Sequence, residues 1–164
     1  MRRGLLIVML FSACLSACTK STGITSPAAV DAQAVIDDNS ITQYLKNKGL
    51  TATRIDTTGV RYIIDTAGTV NVLYTSSTQV TVGYTGILMT TGTVFAQTEK
   101  FHPSFVLGQV IRGWQLGIPQ VQQGGTITLF VPSRYAYGPY AQQDIGLPAN
   151  AVLIFNIKVY NVTN

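Results

Sequence analysis

Tyr84, Phe95, Trp114, Tyr137 and Phe155 are the residues of this 164-residue chain best suited by type and spacing to form a site. They fall in five segments: VGYTG (82–86), GTVF (92–95), VIRGW (110–114), VPSRYAYG (131–138) and LPANAVLIF (147–155). Few of the residues in these segments can donate or accept a proton. Rings and branched aliphatics of this kind suit an apolar pocket better than acid–base or metal chemistry. The single His, His102, sits in a polar EKFHP stretch with no second His and no pair of carboxylates nearby. It is read as solvated and not as a ligand. Asp144 is read as a turn residue. The Gly pairs match no phosphate-binding pattern, so nucleotide binding is not expected. No metal and no cofactor is expected.

The elements that would position these residues follow from periodicity. From Val60 onward apolar residues recur every second position, as in Val60, Tyr62 and Ile64, and in Val80, Val82 and Tyr84. Ile127, Leu129 and Val131 repeat the pattern, as do Leu153, Phe155, Ile157 and Val159. Strands that each offer one apolar face predict an antiparallel sheet wrapped over one core. Thr91-Gly92 predicts a hairpin turn and Gly124-Gly125 a strand entry. Between the strands, Val110, Ile111, Trp114 and Ile118 have helical spacing, and Pro119 limits that helix to a short piece. Residues 135–148 are then a loop long enough to suggest a functional role.

The N-terminus has a different character. Arg2 and Arg3 precede an apolar, small-residue run too short to span a bilayer, which reads as a signal peptide over residues 1–17. It ends in Leu15-Ser16-Ala17-Cys18, which resembles the bacterial lipobox and marks Cys18 for lipidation. Cys14 fits that pattern less well, and loss of the signal would leave no second Cys for a disulfide. Several acyl chains on one residue would anchor the protein stably to a membrane. Residues 18–38 are read as a flexible tether, with an end-to-end distance of roughly 25 Å. Asn39 or Ser40 would cap a short helix ending at Gly49, within a 39–59 helix-and-linker segment. Residues 60–164 form the domain.

Composition narrows the partners. Hydrophobic residues make up 46% and charged residues 11%, enough to build a core and too few charges for a disordered chain. Half of the formal +4 charge lies in Arg2 and Arg3, and the other basic residues are scattered. No basic face argues for nucleic acid. A monomer in the cell envelope is expected, lipid-anchored and outer-membrane-bound on the periplasmic side.

The five segments, with LPANAVLIFNIKV (147–159) and FVLGQVIRGW (105–114), resemble the FKBP-type peptidyl-prolyl isomerases over residues 80–162. The resemblance implies an α+β fold, an antiparallel β half-barrel wrapped around one short α-helix. It implies a proline pocket with Trp114 as floor and Tyr84, Phe95, Val110, Ile111 and Phe155 as walls. Phe105 would join the substrate-binding residues, Tyr137 and Leu147 would line the rim, and Gly113 would allow close backbone approach below Trp114. Proline-containing proteins would be the substrates. Two positions depart from the family: Ala96 follows the Phe of GTVF where relatives usually carry Asp, and Gln109 stands where many carry Glu. Two readings stay open on the ground of Ala96, an isomerase and a weakly catalytic or non-catalytic proline-binding chaperone. A structural envelope protein whose pocket is closed by its own loop is a third.

Overall fold

The protein is described by a computed structural model over residues 26–164, so the expected signal peptide, Cys18 and the first part of the tether lie outside the described residues. Chain segments alternating apolar and polar residues form seven antiparallel strands: β1 (Thr53–Arg54), β2 (Arg61–Thr66), β3 (Gln79–Leu88), β4 (Val94–Gln97), β5 (Ser104–Val106), β6 (Thr126–Val131) and β7 (Leu153–Thr163). Six follow the order β1-β2-β6-β7-β3-β4, and β5 pairs with β3. The expected hairpin closes β3 onto β4, with Leu88 N–H donating to the Thr93 carbonyl at 2.8 Å and Gly92 at φ 75°.

Val80, Val82, Ile127, Leu129, Val131, Leu153, Ile157 and Val159 are fully buried on the concave face, as their alternation requires. That hollow is filled by helix α2 (Arg112–Gly117) and a 3-10 turn at Ile118–Gln120, which supply Trp114 and Ile118 to the same core. The helix is shorter than the 110–121 span expected. Val110 and Ile111 are extended, and Pro119 stands in the tighter 3-10 turn. Gly113 does permit a close approach, but to β6: a Cβ there would meet Val131 Cγ1 at 2.4 Å.

The convex face is also covered. Helix α1 spans Pro27–Lys48, so residues 27–38 of the expected tether are helical and the 39–59 boundary moves upstream. Ser26 Oγ accepts from Ala29 N–H, Pro27 starts the helix, and Gly49 at φ 64° ends it where the sequence placed the stop. Ser40, expected as a cap, lies inside the helix and donates to the Ile36 carbonyl one turn back, as Thr42 does to that of Asp38. Ile41 and Leu45 pack with Met89, Phe130, Val152 and Ile154 into a second cluster, and Tyr44 meets the Phe130 ring at 6.1 Å.

Polar contacts complete the docking of α1. The Asp37 carboxylate, 1% exposed, accepts from Ser133 N–H at 2.8 Å, Ser133 Oγ at 2.6 Å and Gln33 Nε2 at 2.8 Å. Ser133 opens the 3-10 turn Ser133–Tyr135 at the start of the long loop. Next to it, Asp38 Oδ1 pairs with Arg61 at 2.8 Å and Arg54 at 3.0 Å. Burial pushes the Asp38 carboxyl up, but the hydrogen bonds and charges of the two arginines together hold it below its ordinary 3.8.

Asp37→Ala strands a buried Ser133 N–H and hydroxyl. It is expected to lower unfolding free energy by about 2–4 kcal/mol in urea titrations; a loss under about 0.5 kcal/mol would show the clamp to be idle. Because Asp38 titrates lower in the folded state than in the unfolded chain, it stabilises the fold above its ordinary range. That contribution disappears as pH falls through the folded value. Asp38→Asn should therefore flatten the acid limb of a stability-versus-pH curve.

Candidate active site

The short helix presents Trp114 upward from the hollow of the sheet, and three rings from three strands meet its indole edge-on. Tyr84 from β3 lies at 5.0 Å and 82°, Phe155 from β7 at 5.4 Å and 86°, and Phe105 from β5 at 5.8 Å and 86°. Phe95 from β4 then stands edge-on to Phe155 at 5.8 Å. Gly86 makes this contact possible, since a Cβ there would sit 2.7 Å from Phe95 Cζ and 3.0 Å from Phe155 Cε1. Such T-shaped pairs favour a fixed arrangement beyond simple area burial.

These rings line a cleft of about 400 Å³. Trp114 and Phe155 are buried and form its floor, whereas Tyr84, Phe95, Phe105, Val110, Ile111 and Tyr137 are half-buried and form its walls. Gln115 fixes the Val110 side: its Nε2 donates to the Val110 carbonyl at 2.8 Å, and Arg112 donates to its Oε1 at 2.7 Å. The sequence reading passed over Gln115, whose signal is no more than a polar residue one position after the Trp. Ala96, Gln109 and Ile145 also line the cleft.

Of the residues picked out from sequence, Leu147 alone lies off the cleft. It is 2% exposed and belongs to the core cluster. Paired hydrogen bonds between Gln142 and Leu147 close the loop there, at 2.9 and 3.0 Å, turning Leu147 inward and leaving Ile145 at the rim. His102 departs from its expected solvated state as well. Its ring is half-buried and stacks on Tyr160 at 3.9 Å and 15°, with Nδ1 buried and unpartnered among the described residues.

The polar groups of the cleft are few. Among the described residues no Asp, Glu, His, Lys, Arg or Cys is on its wall, and Ala96 occupies β4 opposite Gly86 with no side-chain acceptor to offer Tyr84. Burial raises the Tyr137 hydroxyl above its ordinary 10, with a further push from Tyr84, so it stays a neutral donor. The Trp114 Nε1–H is buried without a hydrogen-bond partner among the described residues, a cost of about 1–3 kcal/mol that ordinary packing avoids. The described residues hold no group of three or more His, Cys, Asp or Glu placed to bind a metal.

Comparison with known proteins agrees with this geometry. The sequence model of the FKBP-type peptidyl-prolyl cis-trans isomerases matches residues 73–160. The FKBP-type isomerase FkpA of Buchnera aphidicola (from Schizaphis graminum) is 34% identical over 124 residues, covering 74% of this chain and 47% of the relative. The outer membrane protein MIP of Legionella longbeachae is 41% identical over 108 residues, covering 63% of this chain and 44% of that one. The chain thus spans about half the length of the curated relatives it matches. A solved peptidyl-prolyl isomerase from Pseudomonas syringae shares the fold, with a TM-score of 0.68 at 24% identity, covering 85% of this chain and 99% of that chain. Because the matched residues take in every ring around Trp114 and more than half of the sequence, this chain belongs to the FKBP-type peptidyl-prolyl cis-trans isomerase family.

Proposed function

We propose that the protein is a peptidyl-prolyl cis–trans isomerase, and that the cleft over Trp114 holds the pyrrolidine ring of an Xaa-Pro substrate. The observation that carries this reading is the convergence of Tyr84, Phe105 and Phe155 on one indole, with a cleft left open above it. Rotation about a peptide bond costs about 18–20 kcal/mol, and X–Pro bonds isomerise unaided over tens to hundreds of seconds. The planar amide places negative charge on oxygen and positive character on nitrogen, and the twisted transition state loses that separation. An apolar enclosure therefore disfavours the ground state relative to the transition state, with no general base required. Each 1.36 kcal/mol gained this way is about tenfold in rate.

In this account Trp114, Phe95 and Phe155 grip the ring, while Val110, Ile111 and Phe105 complete the walls. Tyr137, kept protonated by burial, donates to a substrate carbonyl and holds one side of the bond while the other turns. A second reading, a proline-binding chaperone that turns over slowly, is favoured by Ala96 on the cleft wall. Without the usual Asp, the Tyr84 hydroxyl lacks a partner that would orient it. We further propose that the substrates are envelope proteins. In this reading the protein is a monomer held by lipid on Cys18 at the outer membrane and facing the periplasm, after removal of residues 1–17. The lipobox resemblance and the similarity to the outer membrane protein MIP support that location.

Cis–trans exchange on short Xaa-Pro peptides tests the activity. Trp114→Ala and Phe155→Ala are expected to lower kcat/KM by about tenfold or more and, because both rings are buried in the core, to cost about 3–5 kcal/mol of stability, so each is assayed well below its own melting temperature; wild-type exchange no faster than the uncatalysed rate would end the isomerase reading. Ala96→Asp separates the two readings: a gain of about tenfold or more marks the natural protein as a weakened catalyst, and an unchanged rate means that the apolar walls suffice. The rate should be flat between about pH 6 and pH 9, since among the described residues the ionisable side chains on the cleft wall are all tyrosines. A bell-shaped profile in that window would point to an acid–base group instead.

A further inference from the structure

Beside the cleft lies a second hollow of about 490 Å³, between the N-terminal turns of α1 and the loop after β6. Its walls include Ala29, Val30 and Gln33 on the helix, with Pro139 and Tyr140 on the loop. Tyr137 lines both hollows, so the two are neighbours on either side of one residue. Apolar surface is left open there: Val30 is 37% and Tyr140 66% exposed. The gap does not depend on a floppy contact, because the Asp37 carboxylate on α1 grips Ser133 at the start of that loop. Arg134 also lines it, with its guanidinium donating to the Thr58 carbonyl at 3.0 Å and lying 4.8 Å above the Tyr135 ring. Both hollows fall in the range of about 300–1,000 Å³ typical of ligand sites.

We infer that the α1–loop hollow is a second subsite of the isomerase, which takes an apolar residue flanking the proline in the same extended polypeptide. The inference rests on the isomerase reading of the neighbouring cleft. A chain whose proline sits over Trp114 must leave the cleft past its rim. On the Tyr137 side the neighbouring hollow offers it the exposed Val30 and Tyr140 side chains. Helix α1 thereby becomes part of the substrate site. Very short peptides would not reach the subsite, whereas a protein chain would gain affinity from it.

The test compares Val30→Glu and Tyr140→Ala with wild type on two substrates, a proline tetrapeptide and an unfolded protein limited by prolyl isomerisation. Both positions are exposed and outside the ring cluster, so the variants should fold; circular dichroism and thermal melts check this. The expected result is unchanged tetrapeptide kinetics and about a tenfold rise in KM for the protein substrate, with kcat unaltered. Equal effects on both substrates, or none on either, would overturn the subsite while leaving the isomerase reading intact. No tetrapeptide turnover by wild type would remove the isomerase reading and this inference with it. Faster protein turnover by the variants would assign the hollow to a segment of the chain itself. A dimer in sedimentation that Tyr140→Ala dissociates would assign it to a second copy. Either of those results overturns the proposal.

Discussion

A strongly curved antiparallel sheet has a hollow side, and in this protein a helix of six residues must fill it. The indole of Trp114 does most of that filling, and β3, β5 and β7 each send one ring against its edge. The three rings stand nearly perpendicular to the indole, and a cleft lined by them and by Trp114 stays open beside these contacts. Burial and binding capacity thus have a common origin, with Trp114 and Phe155 nearly inaccessible and their neighbours half-exposed around the opening.

The rest of the architecture serves to hold this arrangement from behind. Phe130 and Ile154 point away from Trp114 and would face water on a one-sided sheet; instead they meet Ile41 and Leu45 of α1. Apolar packing covers both faces of the sheet at residues 129–131 of β6 and 153–155 of β7. The helix also reaches past the sheet. Asp37 is 96 residues from Ser133 in sequence, and its two hydrogen bonds tie the loop bearing Tyr137 to an element that has no ring in the cleft.

Much of this was legible in the amino-acid sequence because it depends on local alternation. Val80 and Val82, Ile127 and Leu129, and Leu153, Phe155 and Ile157 all turn inward as a period of two requires. The aromatic wall was legible only through motif order, since no periodicity says that Tyr84 and Phe155 will meet one indole. What escaped depended on tertiary cover. Alternation with Ile127, Leu129 and Val131 would turn Phe130 outward, although Leu129, Phe130 and Val131 form a continuous apolar run of the kind buried on both faces. The first half of α1 carries no amphipathic stripe, with Val35 and Ile36 exposed, so Asn39 and Ser40 looked like its start. Ser26-Pro27 was the better signal. Leu147 and Ile145 exchanged places because a pair of backbone hydrogen bonds, invisible to composition, decides which of them faces in.

The order of strands has a consequence for how the molecule comes into being. β7 is the last of the seven in the chain, yet it lies between β6 and β3 and pairs with both, along Leu88–Leu153 on one flank and Val131–Leu153 on the other. Until that final segment is available, the two halves of the sheet have no hydrogen-bonded connection, and Trp114 lacks the Phe155 side of its enclosure. A nascent chain therefore carries an unsealed apolar trough through most of its synthesis, and closure is a late, long-range event of the kind that folds slowly.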